Sequence, residues 1–557
     1  MTIITSTFTP LAFSPNLTIP ELITKYNPDH VLPEKVVHED TISGKTLTYG
    51  GLRLDAARCA WGLQQLGLQE GDVVCVIIPN STDFVLLAHS VWWAGATFSP
   101  LNPSYTVNDI AHSLDLVKPT HVVVAGAYLQ SVQNALWVSS LSKSGGRQPK
   151  ILTVLDRVKG FSLFPEDVIG KTTEQAIPPY SLEGSAKSAK TAVAIICFSS
   201  GTTGKMKGVQ LTHYNLVQNL LQYRTSIPYM ANGTSSEVFF PPYCHIYGLS
   251  TVVLLGMWMG NFTLGIPAFD FETFCRQMAR VRATWAHIVP PVALLLASSE
   301  IIEKYDLSSL RYIIVAAAPL KPALQTRLKA RFPMATVLQG YGLSECSPGV
   351  TFQHSNDESS VGTVGRIFSG TEARLVDPAT GQDVEQGQEG ELWVRGPQVM
   401  LGYVGDEVAT SNTFSGDWLR TGDIMKLDEK GNFWITDRLK EMIKYKGFQV
   451  APSELEDLLL GHPEVVDAAV CAVYDNSQAT EVPLAYVSLG PKHTEWIETK
   501  RASVLEEIRT WVDGKVAGYK KLRGGVHHLQ ELPKTNTGKI LRKDLPAKLK
   551  EAREARL

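Results

Sequence analysis

Ser199-Ser200-Gly201-Thr202-Thr203-Gly204-Lys205-Met206-Lys207-Gly208 lies between two strand-like runs, 192–198 before it and Val209-Gln210-Leu211 after it. Ser/Thr/Gly clusters are usually plain loops, but length and order single this one out. Glycines let the backbone approach phosphate oxygens, hydroxyls donate to them, and a lysine neutralises their charge. A Walker A loop has other spacing and a helix directly after its lysine. Here the strand pattern runs on to a helix cap at Thr212. The segment reads as a phosphate loop between two strands.

Around it the chain is α/β. Over 47–124, apolar helical patterns (52–66, 84–93) alternate with β-branched runs such as 73–78, an alternation typical of α/β folds. Polar segments at 141–150 and 181–190 read as surface loops. The charge-free stretch 249–269 is long enough to span a bilayer. Gly256, Gly260, Asn261, Gly265 and Pro267 break it into a buried helix and strand. Glu391-Leu392-Trp393-Val394-Arg395 and Phe433-Trp434-Ile435 read as short strands. A new unit starts after Asp437: Ser453 and Glu456 predict a capping box, Leu455, Leu458 and Leu459 an apolar face, Gly461 a helix end, and 465–473 a buried strand. This divides the chain into a large domain at 1–436, a hinge at 437–440 and a small α+β domain at 440–557.

The 557 residues are 44% hydrophobic and 19% charged, which excludes disordered and coiled-coil chains. Lys+Arg 52 against Asp+Glu 55 leaves a net charge of -3, so no global field recruits nucleic acid. Seven cysteines are scattered with no CxxC pair, which points to a reducing compartment without structural zinc. Residues 1–21 hold no Lys or Arg and so lack the basic start of a signal peptide. Ala555-Arg556-Leu557 has the small–basic–leucine form of a peroxisomal address. It predicts a peroxisomal import receptor as partner; without it, the chain is expected in the cytoplasm.

The loop at 199–208 resembles the signature of the adenylate-forming enzymes: acyl-CoA synthetases, coumarate–CoA ligases, beetle luciferases and peptide-synthetase adenylation domains. Met206 stands where most members have Pro. The resemblance continues in Gln339-Gly340-Tyr341-Gly342-Leu343-Ser344-Glu345, with Ser344 for the commoner Thr, then Gly390-Glu391-Leu392-Trp393-Val394-Arg395-Gly396 and Thr421-Gly422-Asp423. Asp437-Arg438-Leu439-Lys440-Glu441-Met442-Ile443-Lys444-Tyr445-Lys446-Gly447-Phe448-Gln449-Val450 is similar to the coumarate–CoA ligase hinge, and Pro533-Lys534-Thr535-Asn536-Thr537-Gly538-Lys539 completes the order. It covers about 35–545. It implies an α/β fold: a large N-terminal domain of α/β sheets plus a distorted β-barrel, and a small mobile α+β C-terminal domain.

It also implies a reaction and its residues. A carboxylate attacks the α-phosphorus of ATP and pyrophosphate leaves, which needs cations and donors at the developing charge. By resemblance Ser199, Ser200, Gly201, Thr202, Thr203, Gly204 and Lys207 hold the β- and γ-phosphates. Gln339, Gly340 and Tyr341 belong to the adenine motif, Ser344 donates to the α-phosphate, and Glu345 helps hold Mg²⁺. Asp423 and Arg438 take the ribose, and Lys539 reaches the acyl carboxylate and α-phosphate. CoA then attacks the acyl adenylate after the small domain turns about Lys440, which withdraws Lys539 and brings up Lys444, with Lys446 and Gly447 as CoA contacts. Ala268 stands where many ligases have a basic CoA contact. His245 is a gate between acyl pocket and CoA tunnel.

The acyl pocket implied is Cys244, His245, Tyr247, Gly248, Val315, Ala316, Ala317, Gly340, Pro348 and Gly349. With no acidic residue between Tyr243 and Asn261, a buried substrate ammonium would go unpaired. A fatty or aryl acid is expected, and small residues at Gly248 and Ala316 predict length or bulk. The rivals are an adenylating enzyme that loads a carrier protein in trans, a luciferase-like oxygenase, and a non-enzymatic adenylate-binding protein.

Overall fold

The computed structural model of the chain describes residues 3–548 apart from 144–147, 173, 200–205, 228–232, 317–319, 355–359, 440, 446–447, 476–477, 479, 491–497, 517 and 536–538. Among the described residues the strands gather into five sheets. One of eight strands is built on parallel neighbours, with Val73–Ile77 between Thr97–Pro100 and His121–Ala125. These runs are apolar on both faces because helices or another sheet cover both. The expected helices are Tyr49–Gln65, capped by Thr48, and Thr82–Trp93, capped by Ser81. At the sheet's other side Val193–Ser199 turns back antiparallel into Lys207–Thr212, with Ser199 opposite Lys207. Thr212 then caps the helix His213–Ser226 through a reciprocal bond with Asn215.

The second sheet has nine strands. Ser236–Phe239, Trp285–Ile288, Tyr312–Val315 and Thr336–Gly342 run parallel and side by side. The chain therefore leaves all four toward one edge, where open α/β sheets bind ligands. One hydrophobic core fills the space shared by the two large sheets, and a second lies on the opposite face of the nine-stranded sheet. The stretch 249–269 forms a π-helix Leu249–Gly256, a short α-helical turn Met257–Met259 and the strand Phe262–Gly265. No helix among the described residues is long and apolar enough to cross a membrane.

The third body is a six-stranded antiparallel sheet that includes Gly390–Arg395, Trp418–Leu427 and Phe433–Arg438. The N-terminal strand Ile4–Thr5, which carries no local signal, pairs with Glu372–Val376. Beyond it, Val465–Asp475, Thr480–Leu489 and Val526–His528 form a small sheet with the helices Pro452–Leu460 and Glu498–Asp513 around their own core.

Three local expectations are corrected. The segment 141–150 is flanked closely by structure: the helix Ser140–Lys143 starts where the Asp115 carboxylate accepts from Ser139 and Ser140, and Lys150 already belongs to a strand. The capping box does not form. Ala451 occupies the N-cap, while Ser453 donates to the Thr436 carbonyl and Glu456 accepts from the Val470 N–H and Arg542. Tertiary partners take both side chains. The strand at 465–473 is only half-buried: Ala468, Ala469 and Val470 are buried between the two small cores, while Val466 and Val473 toward its ends are 51% and 38% exposed.

Candidate active site

Two strand ends and one short 3-10 turn build the first cluster. Ser199 ends its strand, Lys207 starts the next, and Ser344–Cys346 follows the strand Thr336–Gly342. The Ser199 hydroxyl donates to Glu345 Oε1 at 3.3 Å, and the Tyr403 hydroxyl donates to the same oxygen at 2.9 Å. The Lys207 ammonium lies 4.6 Å from the centre of the Tyr403 ring. Burial, and then the Glu345 carboxylate, push the Tyr403 phenol above its ordinary range, so it stays a neutral donor. Glu345 Oε2 has no hydrogen bond among the described residues. It remains a hard oxygen of the kind that Mg²⁺ prefers.

A second cluster stands where adjacent strands place Asp423 opposite Arg438. Arg438 Nε meets Asp423 Oδ1 at 3.0 Å, and the Tyr341 hydroxyl donates to Oδ2 at 2.6 Å. Asp423 is buried, and Tyr341 is held neutral by burial and by this carboxylate. Each carboxylate oxygen keeps one lone pair, a geometry suited to two neighbouring hydroxyls.

Lys539 is brought to this second cluster. It is half-buried within electrostatic reach of Arg438, Glu441 and Asp423. Burial lowers its pKa most, the Arg438 charge lowers it further, and the two carboxylates pull it back only in part. Its backbone is fixed by a reciprocal bond pair: Lys539 N–H donates to Thr535 Oγ1 at 3.1 Å and Thr535 N–H to the Lys539 carbonyl at 2.8 Å.

His245 follows the strand Ser236–Phe239 and caps a short helical turn, its Nδ1 accepting from the Tyr247 N–H at 3.2 Å. Burial lowers its pKa to about 4. A neutral imidazole whose Nδ1 accepts carries its proton on Nε2. In this arrangement His245 presents Nε2–H as a donor. Asn80 pins the loop that carries it, donating to the carbonyls of Phe240, Pro241 and Ile266 and accepting from the Tyr243 N–H at 2.7 Å. The Tyr243 hydroxyl is held in turn by His38 Nε2 at 2.9 Å.

A family model for AMP-binding enzymes matches residues 28–404, and one for the AMP-binding enzyme C-terminal domain matches residues 454–539. The chain belongs to the AMP-binding enzymes. It is 35% identical over 544 residues to a probable 4-coumarate–CoA ligase 1 of Dictyostelium discoideum, covering 95% of each. It is 34% identical over 518 residues to 4-coumarate:CoA ligase 1 of Petunia hybrida, covering 90% of this chain and 89% of the relative. Among solved structures, ATP-bound MatB from Rhodopseudomonas palustris superposes with a TM-score of 0.81 at 26% identity, covering 95% of this chain and 98% of that one. Within its family the chain falls in the acid–CoA ligase branch.

Some site residues of this AMP-binding enzyme stand differently from expectation. The Gln339 side chain accepts from the Leu320 N–H at 2.7 Å and donates to the Thr363 carbonyl at 3.2 Å, so it clamps two neighbouring backbone segments. Val315 packs in the second core, on the sheet face opposite Tyr247, because alternate residues of a strand point to opposite faces. That is a correction; Ala316, half-buried at the strand's end, remains. Gly248 is small for a different reason than pocket length: a Cβ there would lie 2.6 Å from the Pro242 carbonyl oxygen. Gly349 likewise makes room for Phe368, 2.5 Å from a built Cβ. Cys244 is buried beside His245, its thiol pushed up to about 12. Pro348 follows a cis bond from Ser347, and Gly340 faces Phe352 across the strand pair. Ser200, Gly201, Thr202, Thr203, Gly204, Ala317, Lys440, Lys446 and Gly447 lie outside the described residues; Lys444 lies on the strand Ile443–Tyr445, its side chain outside them. Tyr403, Asn80 and His38 were missed, since each acts through a partner more than 40 residues away in sequence.

Proposed function

We propose that the protein joins a fatty or aryl carboxylic acid to CoA in two steps at one site. The observation that carries this is the position of Lys539, set beside the Asp423–Arg438 pair while Ser199, Lys207 and Glu345 converge at the other cluster. ATP lies between them with its ribose on Asp423 and its β- and γ-phosphates on the 199–207 loop. A carboxylate oxygen of the acid attacks the α-phosphorus, the bond to the bridging oxygen of pyrophosphate breaks, and an acyl adenylate forms. The Lys539 ammonium offsets the charge that builds on the acyl carboxylate and α-phosphate. Glu345 would hold Mg²⁺ through its carboxylate, and the ion would supply charge neutralisation at the phosphates.

In the second step the CoA thiolate sulfur attacks the acyl carbon and AMP leaves with the electron pair of the broken bond. The small domain, turning about a hinge at 437–440, withdraws Lys539 and presents Lys444, Lys446 and Gly447. His245 Nε2–H lines the way in. We place the protein in the peroxisome through Ala555-Arg556-Leu557 and the import receptor that reads it; a chain lacking these three residues should stay cytosolic in cells, and continued import would refute the address.

The test is a panel of fatty, cinnamic, phenylacetic and amino acids with ATP and Mg²⁺, with and without CoA, read by mass spectrometry. A CoA thioester from a fatty or aryl acid is the expected product. Adenylate without thioester would overturn the ligase reading in favour of another acceptor, such as a carrier protein.

A further inference from the structure

The segment 533–541, which carries Lys539, doubles back on itself and is tied at both stems to one strand of the small sheet. Lys534 bridges antiparallel to Ile540, and the Leu541 N–H donates to the Pro533 carbonyl at 2.8 Å. On the first stem Lys534 Nζ meets Asp467 Oδ2 at 2.5 Å. On the second, just beyond Lys539, Arg542 Nε donates to the Val470 carbonyl at 3.0 Å. Asp467 and Val470 belong to Val465–Asp475, which stands at the end of its sheet. On the unpaired side of that strand the Val470 N–H donates to Glu456 Oε1, and Arg542 Nη2 donates to the same oxygen at 2.6 Å.

Arg542 also reaches back toward the nucleotide. Its Nη1 donates to Glu441 Oε2 at 2.5 Å. The Glu441 N–H donates in turn to the Arg438 carbonyl at 2.9 Å, and Arg438 is the residue that pairs with Asp423. A continuous set of bonds therefore runs from the Asp423–Arg438 cluster through Glu441 and Arg542 to the stem of the Lys539 segment. The Arg542 side chain is 19% exposed, and its three nitrogens serve acceptors on three separate segments of chain. A charge network withdrawn from water is a poor source of stability, since apolar side chains of the same size do as well or better. What a planar fork with fixed N–H directions supplies is position, and an ammonium on a flexible stem does not replace it.

We propose that Arg542 is a positioning residue for adenylation: it sets the stem of the Lys539 segment against Glu441 and so fixes where the lysine stands relative to the Asp423–Arg438 cluster. The proposal rests on the adenylation reading above. Arg542 takes no part in bond making and acts only through Lys539. Two consequences separate this role from a merely structural one. Loss of Arg542 lowers kcat for adenylation and leaves substrate binding nearly unchanged, because the nucleotide cradle belongs to other elements. It also has no further effect once Lys539 is gone, because two residues that act as a unit are not additive.

The experiment measures acid-dependent ATP–pyrophosphate exchange, which needs no CoA, for full-length wild type, Arg542→Ala, Lys539→Ala and the double variant. Arg542→Ala should lose about tenfold to a hundredfold in kcat, the size expected when a reacting group is misplaced by about 1 Å. Its KM values for ATP and acid should stay within about twofold of wild type. The double variant should exchange at the rate of Lys539→Ala alone. Glu441→Gln keeps the size of the side chain and removes the charge that Arg542 Nη1 holds; it carries the test if Arg542→Ala does not fold. Its kcat should fall too, and again not in the Lys539→Ala background. Wild-type kcat in the folded variant, a raised KM with kcat unchanged, or losses that multiply in the double variant overturn the proposal. Multiplying losses with thioester still formed on adding CoA sink this proposal and leave the ligase reading standing. Non-additive losses with no thioester do the reverse. Exchange undiminished in Lys539→Ala, or absent with every acid, sinks both.

Discussion

The two sides of the active site are held in different ways. In the large domain, Tyr341, Asp423, Glu345 and Tyr403 are tied to strands whose cores are continuous and apolar. Lys539 comes from a unit with its own core, and among the described residues no buried apolar cluster includes residues from both sides of 436–443. The junction is polar instead. Lys321 pairs with Asp457, and Ser453 donates to the Thr436 carbonyl and to Asp437 Oδ2. Exposed ion pairs contribute about 0–1 kcal/mol each, a weak junction that suits the proposed docking and release of the lysine. On the proposed reading, the large domain supplies the nucleotide cradle and the small unit delivers the charge that completes it.

The comparison breaks most visibly at Lys539. Lys539→Ala should slow adenylate formation by about a hundred- to a thousandfold, the usual effect of removing one preorganised group at a developing charge. Thiolysis of supplied acyl adenylate should change far less; equal loss in both would show that the lysine is not a delivered group. Because burial lowers its pKa, adenylation should also fail on the alkaline side below the pH at which an exposed lysine titrates. Lys539→Arg should move that limb upward.

A smaller effect sharpens the junction. Burial raises the Asp437 pKa from 3.8 to about 6 where Ser453 covers it. The docked form therefore binds a proton that the undocked form lacks between those two values. Docking is strongest below this window, weakens as pH rises through it, and bears the full cost above it. The ratio of thiolysis to adenylation in pre-steady-state traces should rise about tenfold from pH 5 to 7, and Asp437→Asn should flatten it.

Much of this was legible in the sequence where chemistry and local pattern coincide. The loop at 199–208 lies between two strands, and Thr212 caps the next helix, as read from the residues alone. What was not legible depends on partners that meet only in three dimensions. Ser453 looked like a cap and is instead a cross-junction donor. Gly248 looked like pocket space and is instead backbone clearance. Glu441 and Arg542 sit 101 residues apart, and nothing local marks them as a pair.

The most direct test of a rigid cradle with a delivered lysine is to fix the junction. Lys321→Cys/Asp457→Cys, bridged by a short bifunctional maleimide, would hold the two units docked where that ion pair now forms. Single-turnover assays on the bridged protein should then show pyrophosphate release and acyl adenylate at near-normal rates, with thioester formation blocked. Thioester formed by the bridged protein at the unbridged rate would contradict the account.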